Sequence, residues 1–398
     1  MMLARFPSVP SSRPARRREA LRWLIALASA VASGAAGCAE SPAPGSTTSA
    51  TGGGAGADGA AGVGGASPDA ASDVGASEAG GCYREPDLPE RWSPPCEFVP
   101  GHNVCEAGRC GLTYGCMVLG AGWCEPGRAA SGEDPVQVYM TLAPQVGERE
   151  VTRAEWVAAG LTLPAVAGGD AGAGVDAGDV GCAGMDCPVT GVSWVEAVVY
   201  ANARSDAEGL GQCYQVNGCS GTAGVDLECQ FVTAATSPSQ RCEGYRLLTA
   251  AEWEYAARAG TRTAYWSGPA TQAAAATTCE VEPALAGSAW YCASAGGALH
   301  PVGQLPANGL GFFDVLGNAA EWVEDELAFD PGAGPLENPG GDVQVDVGAG
   351  APRQIRGGSY ADRAGTLRAA ARRSAPPAAR LPDVGFRVVR WVYWVGGG

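Results

Sequence analysis

The cysteines constrain the fold of this chain more than any other feature. The sequence has 15 cysteines and no Cys-x-x-Cys pair, the spacing typical of zinc sites. With Cys38 set aside, the others fall into local clusters of even size. Six lie between Cys82 and Cys124, and the rest are Cys182 and Cys187, then Cys213, Cys219, Cys229 and Cys242, then Cys279 and Cys292. This parity predicts local disulfides and an oxidising compartment.

The two-member clusters have one pairing each, Cys182 with Cys187 and Cys279 with Cys292. The four-cysteine and six-cysteine clusters leave their connectivity open. Each bridge would contribute about 2 to 4 kcal/mol by restricting the unfolded chain. Such restriction is needed here because 60 of the 398 residues are glycine, about twice the usual share. We therefore expect a disulfide-rich fold built mostly of loops.

Composition excludes several classes of function. All 26 basic residues are arginine, so Schiff-base chemistry and a P-loop lysine are ruled out. The net charge of −16 argues against a nucleic-acid partner, which requires basic clusters that release counterions. The only histidines are His102 and His300. A metal centre with three imidazoles is therefore excluded.

The N-terminal residues predict export. Basic residues between Arg13 and Arg18 precede an apolar run over 23–36 and small residues before Cys38, a pattern typical of a secretory signal over residues 1–37. The residues just before Cys38 resemble a bacterial lipobox, in which this cysteine would be lipidated. Arg17 and Arg18 also leave a twin-arginine route open. We expect an extracytoplasmic lipoprotein of the periplasm, outer membrane or cell surface, with the lipid as its only membrane contact.

A tether and a cysteine-rich segment follow the signal. Residues 38–81 are rich in Ala, Gly and Ser and, beyond Cys38, contain no aromatic or basic residue, so they predict a disordered tether. Residues 82–124 form a cysteine-rich N-terminal segment. Residues 165–181 are an Ala/Gly/Asp insertion, which predicts a surface loop.

Three helices are predicted by one repeated pattern, a Ser or Thr followed three residues later by Glu. The pattern begins at Thr152, Ser193 and Thr249, and glycine stops follow at 160, 209 and 260. A tryptophan near the start of each helix predicts a core anchor. Short apolar runs at 137–142, 355–360 and 385–394 predict strands. The fold class is therefore α+β.

Six ordered motifs give the chain a resemblance to a known family. They occupy residues 147–156, 188–194, 244–258, 317–322, 356–360 and 385–387. Over residues 115–392 the chain resembles the sulfatase-modifying-factor family, typified by the formylglycine-generating enzyme. The resemblance implies one compact domain of modified C-type-lectin-like fold with little regular secondary structure.

The chemistry known for this family is not expected here. The family includes copper-dependent oxidases that convert a sulfatase cysteine into formylglycine, using two cysteines after an Arg-Gly-Gly-Ser motif. The matching positions are Asp362 and Leu367, and no cysteine follows Cys292. Thiolates are what hold Cu(I), so copper is not expected. The iron-dependent branch needs three histidines, so iron is not expected either.

The resemblance does imply a calcium site. Its ligands would be the side chains of Asp314 and Glu321 and the backbone carbonyls of Gly317 and Ala319, since Ca²⁺ prefers oxygen ligands. The alternative is that Asp314 caps a turn and Glu321 is solvated. The resemblance also implies a groove, with Ser359, Tyr360, Trp322 and Asp362 as candidate lining residues.

The remaining charged residues admit two interpretations each. The acids Glu324, Asp325 and Asp362 could act as acid or base groups, or be solvated surface. The arginines from Arg363 to Arg373 could bind an anionic ligand or pair with internal acids.

We expect a formylglycine-generating-enzyme-like protein that has lost the oxidase site and binds a protein or peptide ligand. The alternatives are a divergent enzyme of the family that uses Asp362, and a structural surface component in which residues 82–124 form a cap.

Overall fold

The computed structural model describes residues 105–106, 109–111, 115–119, 133, 136–142, 144–164, 181–272, 274–327, 336–340 and 343–391. The predicted signal over 1–37, the tether over 38–81 with Cys38, and most of the 165–181 loop lie outside these residues. Among the residues described, no helix has the length and apolar character needed to cross a membrane.

Three α-helices occur in the described residues, and each begins where the capping pattern predicts it. They are α1 (Arg153–Ala158), α2 (Trp194–Ala207) and α3 (Ala250–Arg258). In each, the N-cap hydroxyl accepts a hydrogen bond from the backbone N–H of the third helical residue, and the glutamate there bonds back to the N-cap N–H. The tryptophans of all three helices are buried, which confirms the predicted core anchors.

The strands are short and belong to four sheets in the described part of the chain. They are β1 (Cys105–Glu106), β2 (Arg109–Gly111), β3 (Gly115–Leu119), β4 (Val136–Met140), β5 (Pro144–Gly147), β6 (Tyr214–Asn217), β7 (Phe231–Ala234), β8 (Tyr245–Leu247), β9 (Ala320–Glu326), β10 (Leu336–Glu337), β11 (Gln344–Asp346), β12 (Arg353–Arg356), β13 (Arg373–Ala375), β14 (Val384–Phe386) and β15 (Val388–Trp391). The sheet orders are β1-β2-β5-β15-β8, β10-β4-β3, β11-β7-β6 and β13-β12-β9-β14. The α+β class and the low content of regular structure are as predicted.

The cysteine-rich segment takes part in two of these sheets. Strand β2 pairs with β5, and β3 pairs antiparallel with β4 along its whole length. The strands of this segment are therefore continuous with the sheets of the domain. The predicted strand at 355–360 ends at Arg356, because the backbone is left-handed at Gly357 and Gly358. The predicted strand at 385–394 is divided at Arg387 into β14 and β15.

Two hydrophobic clusters form most of the core. One contains Trp253, Leu316 and Leu367. The other contains Trp156, Trp194 and Trp322. Aromatic contacts hold the second cluster together, such as the stacked rings of Trp156 and Tyr200, whose centroids are 5.8 Å apart.

Four disulfides lie in the described residues, and all are local. The predicted pairs Cys182–Cys187 and Cys279–Cys292 are present. The open connectivity of the four-cysteine cluster is resolved as Cys213–Cys242 and Cys219–Cys229. The pairing of cysteines between Cys82 and Cys124 lies outside what the structure describes.

Buried arginine–glutamate pairs bind the elements together. The shortest N–O distances are 2.6 Å for Arg246–Glu252, 2.8 Å for Arg258–Glu254, 2.6 Å for Arg356–Glu254, 2.8 Å for Arg368–Glu133 and 2.6 Å for Arg387–Glu321. Arg373 pairs with Asp383 at 2.7 Å. Two of the arginines from Arg363 to Arg373, namely Arg368 and Arg373, thus pair with acids of the same chain. For these two residues, ion pairing within the fold is the alternative that the structure supports.

Candidate functional site

The loop after β12 carries Asp362 and Leu367, the two positions that the resemblance matches to the cysteines of the family's oxidases. Gly357 and Gly358 both have positive φ, at 86° and 65°. A Cβ at Gly358 would lie 2.7 Å from a methyl carbon of Leu367, so only glycine allows this approach. The loop therefore packs tightly against Leu367, which stands at the second of these two positions.

Asp362, at the first of these positions, closes the turn. Its Oδ2 accepts hydrogen bonds from the Ser359 backbone N–H at 2.9 Å and from the Ser359 hydroxyl at 2.8 Å. The Nη1 of Arg373 lies 3.4 Å from the same oxygen. This carboxylate has a structural role in the loop, because its bonds hold the Arg-Gly-Gly-Ser turn in place.

Leu367, at the second position, belongs to the hydrophobic core. It ends the 3₁₀ turn Ala364–Leu367 and is fully buried among apolar side chains. An isobutyl group offers no metal ligand, and a single carboxylate does not replace two soft thiolates for Cu(I). The two positions of the oxidase pair therefore serve packing and loop closure.

Three of the four predicted groove residues are buried in the structure, and the fourth, Asp362, is partly exposed. Trp322 is buried in the second core cluster and donates its indole N–H to the Val192 carbonyl at 3.0 Å. Ser359 is fully buried against Asp362, and Tyr360 packs beside the Cys182–Cys187 disulfide. Trp322 belongs to strand β9, which is buried on both faces. Asp362 alone of the four keeps partial exposure.

Glu324 and Asp325 are also buried, so the interpretation of these acids as solvated surface is wrong. Glu324 accepts hydrogen bonds from the Tyr214 hydroxyl at 2.8 Å and the Ser239 hydroxyl at 2.5 Å. Burial is the main cause that raises the pKa of Glu324 to about 7, and Arg246 opposes it. Asp325 accepts the first free N–H of helix α3, that of Ala250, at 2.5 Å. Both acids connect strand β9 to neighbouring elements.

Three of the sequence motifs converge on a buried polar cluster, which we call the acidic cluster, made of Glu150, Asp314, Glu321 and Arg387. The Nη2 of Arg387 lies 2.6 Å from Glu321 Oε1, and its Nε lies 2.8 to 2.9 Å from both carboxylate oxygens. The indole N–H of Trp253 donates to Glu321 Oε2 at 2.8 Å. Each oxygen of Glu321 thus accepts two hydrogen bonds, so all of the acceptor sites of this carboxylate are occupied.

Glu150 and Asp314 complete the acidic cluster. Glu150 Oε1 accepts from the Asn318 side chain at 3.1 Å and the Ala319 N–H at 3.4 Å, while its buried Oε2 has no hydrogen-bond partner. Asp314 has a positive φ of 54° and accepts the Gly303 N–H at 2.6 Å. Burial, and then repulsion by Asp314, raises the pKa of Glu150 well above its usual value. Burial also raises the pKa of Asp314.

The acidic cluster is where the resemblance implies calcium. An unpartnered buried carboxylate oxygen and an excess of negative charge suit a hard cation. Within the described residues, no group of three or more His, Cys, Asp or Glu side chains could hold a metal ion, so backbone carbonyls would have to complete the site. The sequence prediction did not include Glu150. No local sequence signal marks Glu150, because its partner Asn318 is 168 positions away in the sequence.

A separate open cavity of about 500 Å³ lies between helix α2 and the β11 end. Its apolar lining includes Val195, Leu227 and Val347, and its acidic lining includes Asp226 and Glu228. Its lining also includes Arg380, which is committed to the buried Glu196 at 2.8 Å.

The fold and the motifs of this chain match a known protein family. Residues 111–392 match the family model of the sulfatase-modifying factor enzyme 1-like domain, so the chain belongs to this family. The solved structure of Treponema denticola variable protein 1 has a similar fold. It superimposes with a TM-score of 0.53 at 24% identity, over 71% of this chain and 95% of that one.

Curated relatives are similar over parts of their length. The chain is 29% identical over 194 residues to the Chaperone protein LppX of Paenibacillus barcinonensis, which is 44% of this chain and 60% of that protein. It is 38% identical over 95 residues to the Formylglycine-generating enzyme of Mycobacterium tuberculosis, which is 22% of this chain and 29% of that enzyme. The chain thus spans less than two thirds of these relatives.

Proposed function

We propose that this chain is an exported, lipid-anchored member of its family that does not oxidise cysteine and acts by binding a protein or peptide ligand. One observation carries this proposal. The positions of the oxidase thiols hold Leu367, which is fully buried in the core, and Asp362, whose carboxylate closes the loop. Neither side chain supplies a thiolate to hold copper for oxygen activation, and this supports a binding function over cysteine oxidation.

Export is supported by the four described disulfides, since disulfides persist outside the reducing cytosol. A role in protein binding is supported by the similarity to a relative named as a chaperone. Lipid attachment at Cys38 is tested by metabolic labelling with a fatty acid. The full chain should be labelled and the Cys38→Ser variant should not.

The open cavity is the surface we assign to the ligand. Its apolar lining suits an aliphatic side chain, and Asp226 and Glu228 are exposed carboxylates on the same wall. Because Arg380 is neutralised by Glu196, the uncompensated charge of the lining is negative. An apolar residue flanked by positive charge complements this surface, since opposite potentials steer and orient partners.

Two probe peptides test this assignment. A short peptide of alternating Leu and Arg should bind the full chain, and one of alternating Leu and Glu should not, as measured by fluorescence anisotropy. Binding of the first peptide should weaken in Glu228→Arg and stay unchanged in the matched control Glu243→Arg, an exposed acid that is not part of the cavity lining. Equal binding of both peptides, or equal affinity of the two variants, would contradict the proposal.

A further inference from the structure

Strand β11 is an edge strand that ends beside the open cavity. Its sheet has the order β11-β7-β6, and within the described residues no strand pairs with the other side of β11. The cavity is lined by Val347 and Gly348, which directly follow this strand. The main-chain N–H and C=O groups along a sheet edge can pair with another extended chain. The register of β11 shows which of these groups are open.

The hydrogen bonds of the sheet show how the main chain of β11 is oriented. The Ala234 N–H donates to the Val343 carbonyl at 2.9 Å, and the Val347 N–H donates to the Gln230 carbonyl at 2.9 Å. In an antiparallel pair, successive residues direct their main-chain groups to opposite sides of the strand. The odd-numbered residues of this stretch therefore bond to β7, and the even-numbered ones face away from it.

The even-numbered residues, Gln344 and Asp346, leave three main-chain groups open at this edge. In the part of the chain that the structure describes, neither the N–H nor the carbonyl of Gln344 has a hydrogen-bond partner, and the Asp346 N–H has none either. The Asp346 carbonyl accepts the Gly350 N–H. Two donors and one acceptor are thus available to an added strand.

The opposite edge of the same sheet is closed by a side chain. Asn202 of helix α2 donates to the Tyr214 carbonyl of β6 at 2.8 Å and accepts the Tyr214 N–H at 3.2 Å. These two bonds occupy the positions that an added strand would use at β6. The described sheet is therefore open to addition at β11.

The side chains of this stretch connect the open edge to the cavity. Val343, Val345 and Val347 are buried in the second core cluster together with Val195 of helix α2. Val195 and Val347 also line the cavity, so the cavity lies on the inner face of the sheet. In a strand added along β11, every second side chain would point to this inner face.

The surface around the edge is negatively charged. Asp346 is exposed on the outer face of the sheet, and its Oδ1 accepts the N–H groups of Gly348 and Ala349 at 3.1 and 3.2 Å. Asp226 and Glu228 add two exposed carboxylates at the cavity. A strand that alternates apolar and basic side chains complements the inner face with the first set and the acids with the second.

We propose that the peptide ligand binds in an extended conformation as an added strand on the free edge of β11. Its main chain bonds to Gln344 and Asp346, and one of its apolar side chains enters the cavity. This inference rests on the proposed peptide-binding function and adds to it the conformation of the ligand and the groups that recognise it. In strand addition, main-chain hydrogen bonds provide affinity and pockets for alternate side chains provide specificity.

The first test uses the peptide of alternating Leu and Arg in two N-methylated forms, one methylated at the leucine nitrogens and one at the arginine nitrogens. Only alternate residues of an added strand bond to β11. One form should therefore lose more than about tenfold in affinity for the full chain, while the other binds as the unmethylated peptide does. Loss in the arginine form corresponds to antiparallel addition and loss in the leucine form to parallel addition. Equal affinity of the two forms would overturn the proposal.

The second test changes the edge of the protein. Proline is accepted in an edge strand where the N–H faces outward, and the Gln344 N–H has no partner in the described chain. Gln344→Pro should therefore keep a similar melting temperature but bind the unmethylated peptide more than about tenfold more weakly. The matched control Gln344→Thr keeps the N–H and should bind as the unaltered chain does. Equal binding by the two variants would contradict the added strand.

Hydrogen exchange in the unaltered chain gives a measurement that does not depend on how a variant folds. Addition of the peptide should slow exchange at the amides of Gln344 and Asp346, because both become donors in the added strand. Unchanged exchange at both amides would overturn the proposal.

The outcomes separate this inference from the function on which it rests. If the unmethylated peptide binds and Glu228→Arg weakens it, but the two N-methylated forms bind alike, the peptide-binding function stands and the added strand is wrong. If the unaltered chain does not bind the unmethylated peptide, both are wrong.

Discussion

The buried carboxyl of Glu324 should make the stability of this protein fall as the pH rises through the mildly acidic range. Glu324 is 1% exposed and is bonded to Tyr214 and Ser239, and its pKa is raised to about 7. In the unfolded chain the ordinary value is 4.5. Between these values the folded protein keeps a proton that the unfolded chain has lost.

The size of the effect follows from these two values. Proton linkage makes stability decrease with pH wherever the folded state binds more protons. One pKa unit corresponds to about 1.36 kcal/mol, so the difference between 4.5 and about 7 amounts to roughly 3 kcal/mol. This stability should be present below about pH 4.5, decline up to about pH 7, and stay constant above it.

The measurement is urea unfolding with disulfides intact, from pH 4 to pH 8, for the unaltered chain and Glu324→Gln. The glutamine does not titrate, so the difference in unfolding free energy between the two proteins should change by roughly 3 kcal/mol across the range. Contributions from Glu150 and Asp314 cancel in this difference. Glu228→Gln, at an exposed position, is the control and should show no such change. A pH-independent difference between the unaltered chain and Glu324→Gln would refute the reasoning.

Three further predictions concern the loop after β12 and the disulfides. Leu367→Ala should lower the unfolding free energy by about 2 to 5 kcal/mol, whereas Leu327→Ala, at a site 44% exposed, should change it by less than about 0.5 kcal/mol; equal effects in urea unfolding would contradict the core placement. Asp362→Ala should keep the fold but speed hydrogen exchange at the Ser359 amide, which loses its acceptor; unchanged exchange would show that the carboxylate does not hold the turn. Peptide mapping without reduction should recover linked peptides for the bridges Cys182–Cys187, Cys213–Cys242, Cys219–Cys229 and Cys279–Cys292, and free thiols at these positions would count against the fold.

Local signals in the sequence predicted local features of the fold. The helix starts at Thr152, Ser193 and Thr249 were predictable because a capping box involves only neighbouring residues. The disulfides Cys182–Cys187 and Cys279–Cys292 were predictable because each cluster has only two members. The pairing of Cys213 with Cys242 was not, because it depends on how the intervening chain folds.

Burial within β9 was the main feature that the sequence did not predict. The strand reads Ala-Glu-Trp-Val-Glu-Asp-Glu, and its acids suggest a solvent-exposed face. In the structure, Glu321 is neutralised by Arg387 and Glu324 bonds to Tyr214, partners from distant parts of the chain. Trp322 of the same strand is buried in the second core cluster. Such long-range pairing gives no periodic signal along the sequence.

The candidate site was predictable in its chemistry but not in its geometry. The absence of the thiol pair follows from residue identities alone at Asp362 and Leu367. That these residues pack and close a loop required the structure. Glu150 was missed because its neighbours Asp314 and Asn318 are more than 160 positions away, as its 168-residue separation from Asn318 shows.

The central claim, that the family fold here carries no cysteine oxidase, is tested most directly with a cysteine-containing sulfatase peptide. The full chain is supplied with copper and oxygen and incubated with this peptide, and the product is analysed by mass spectrometry beside a copper-loaded formylglycine-generating enzyme. With Asp362 and Leu367 in place of the thiols, the account predicts that this chain leaves the cysteine unchanged while the control enzyme converts it. Formylglycine formed by this chain above the level without protein would contradict the account.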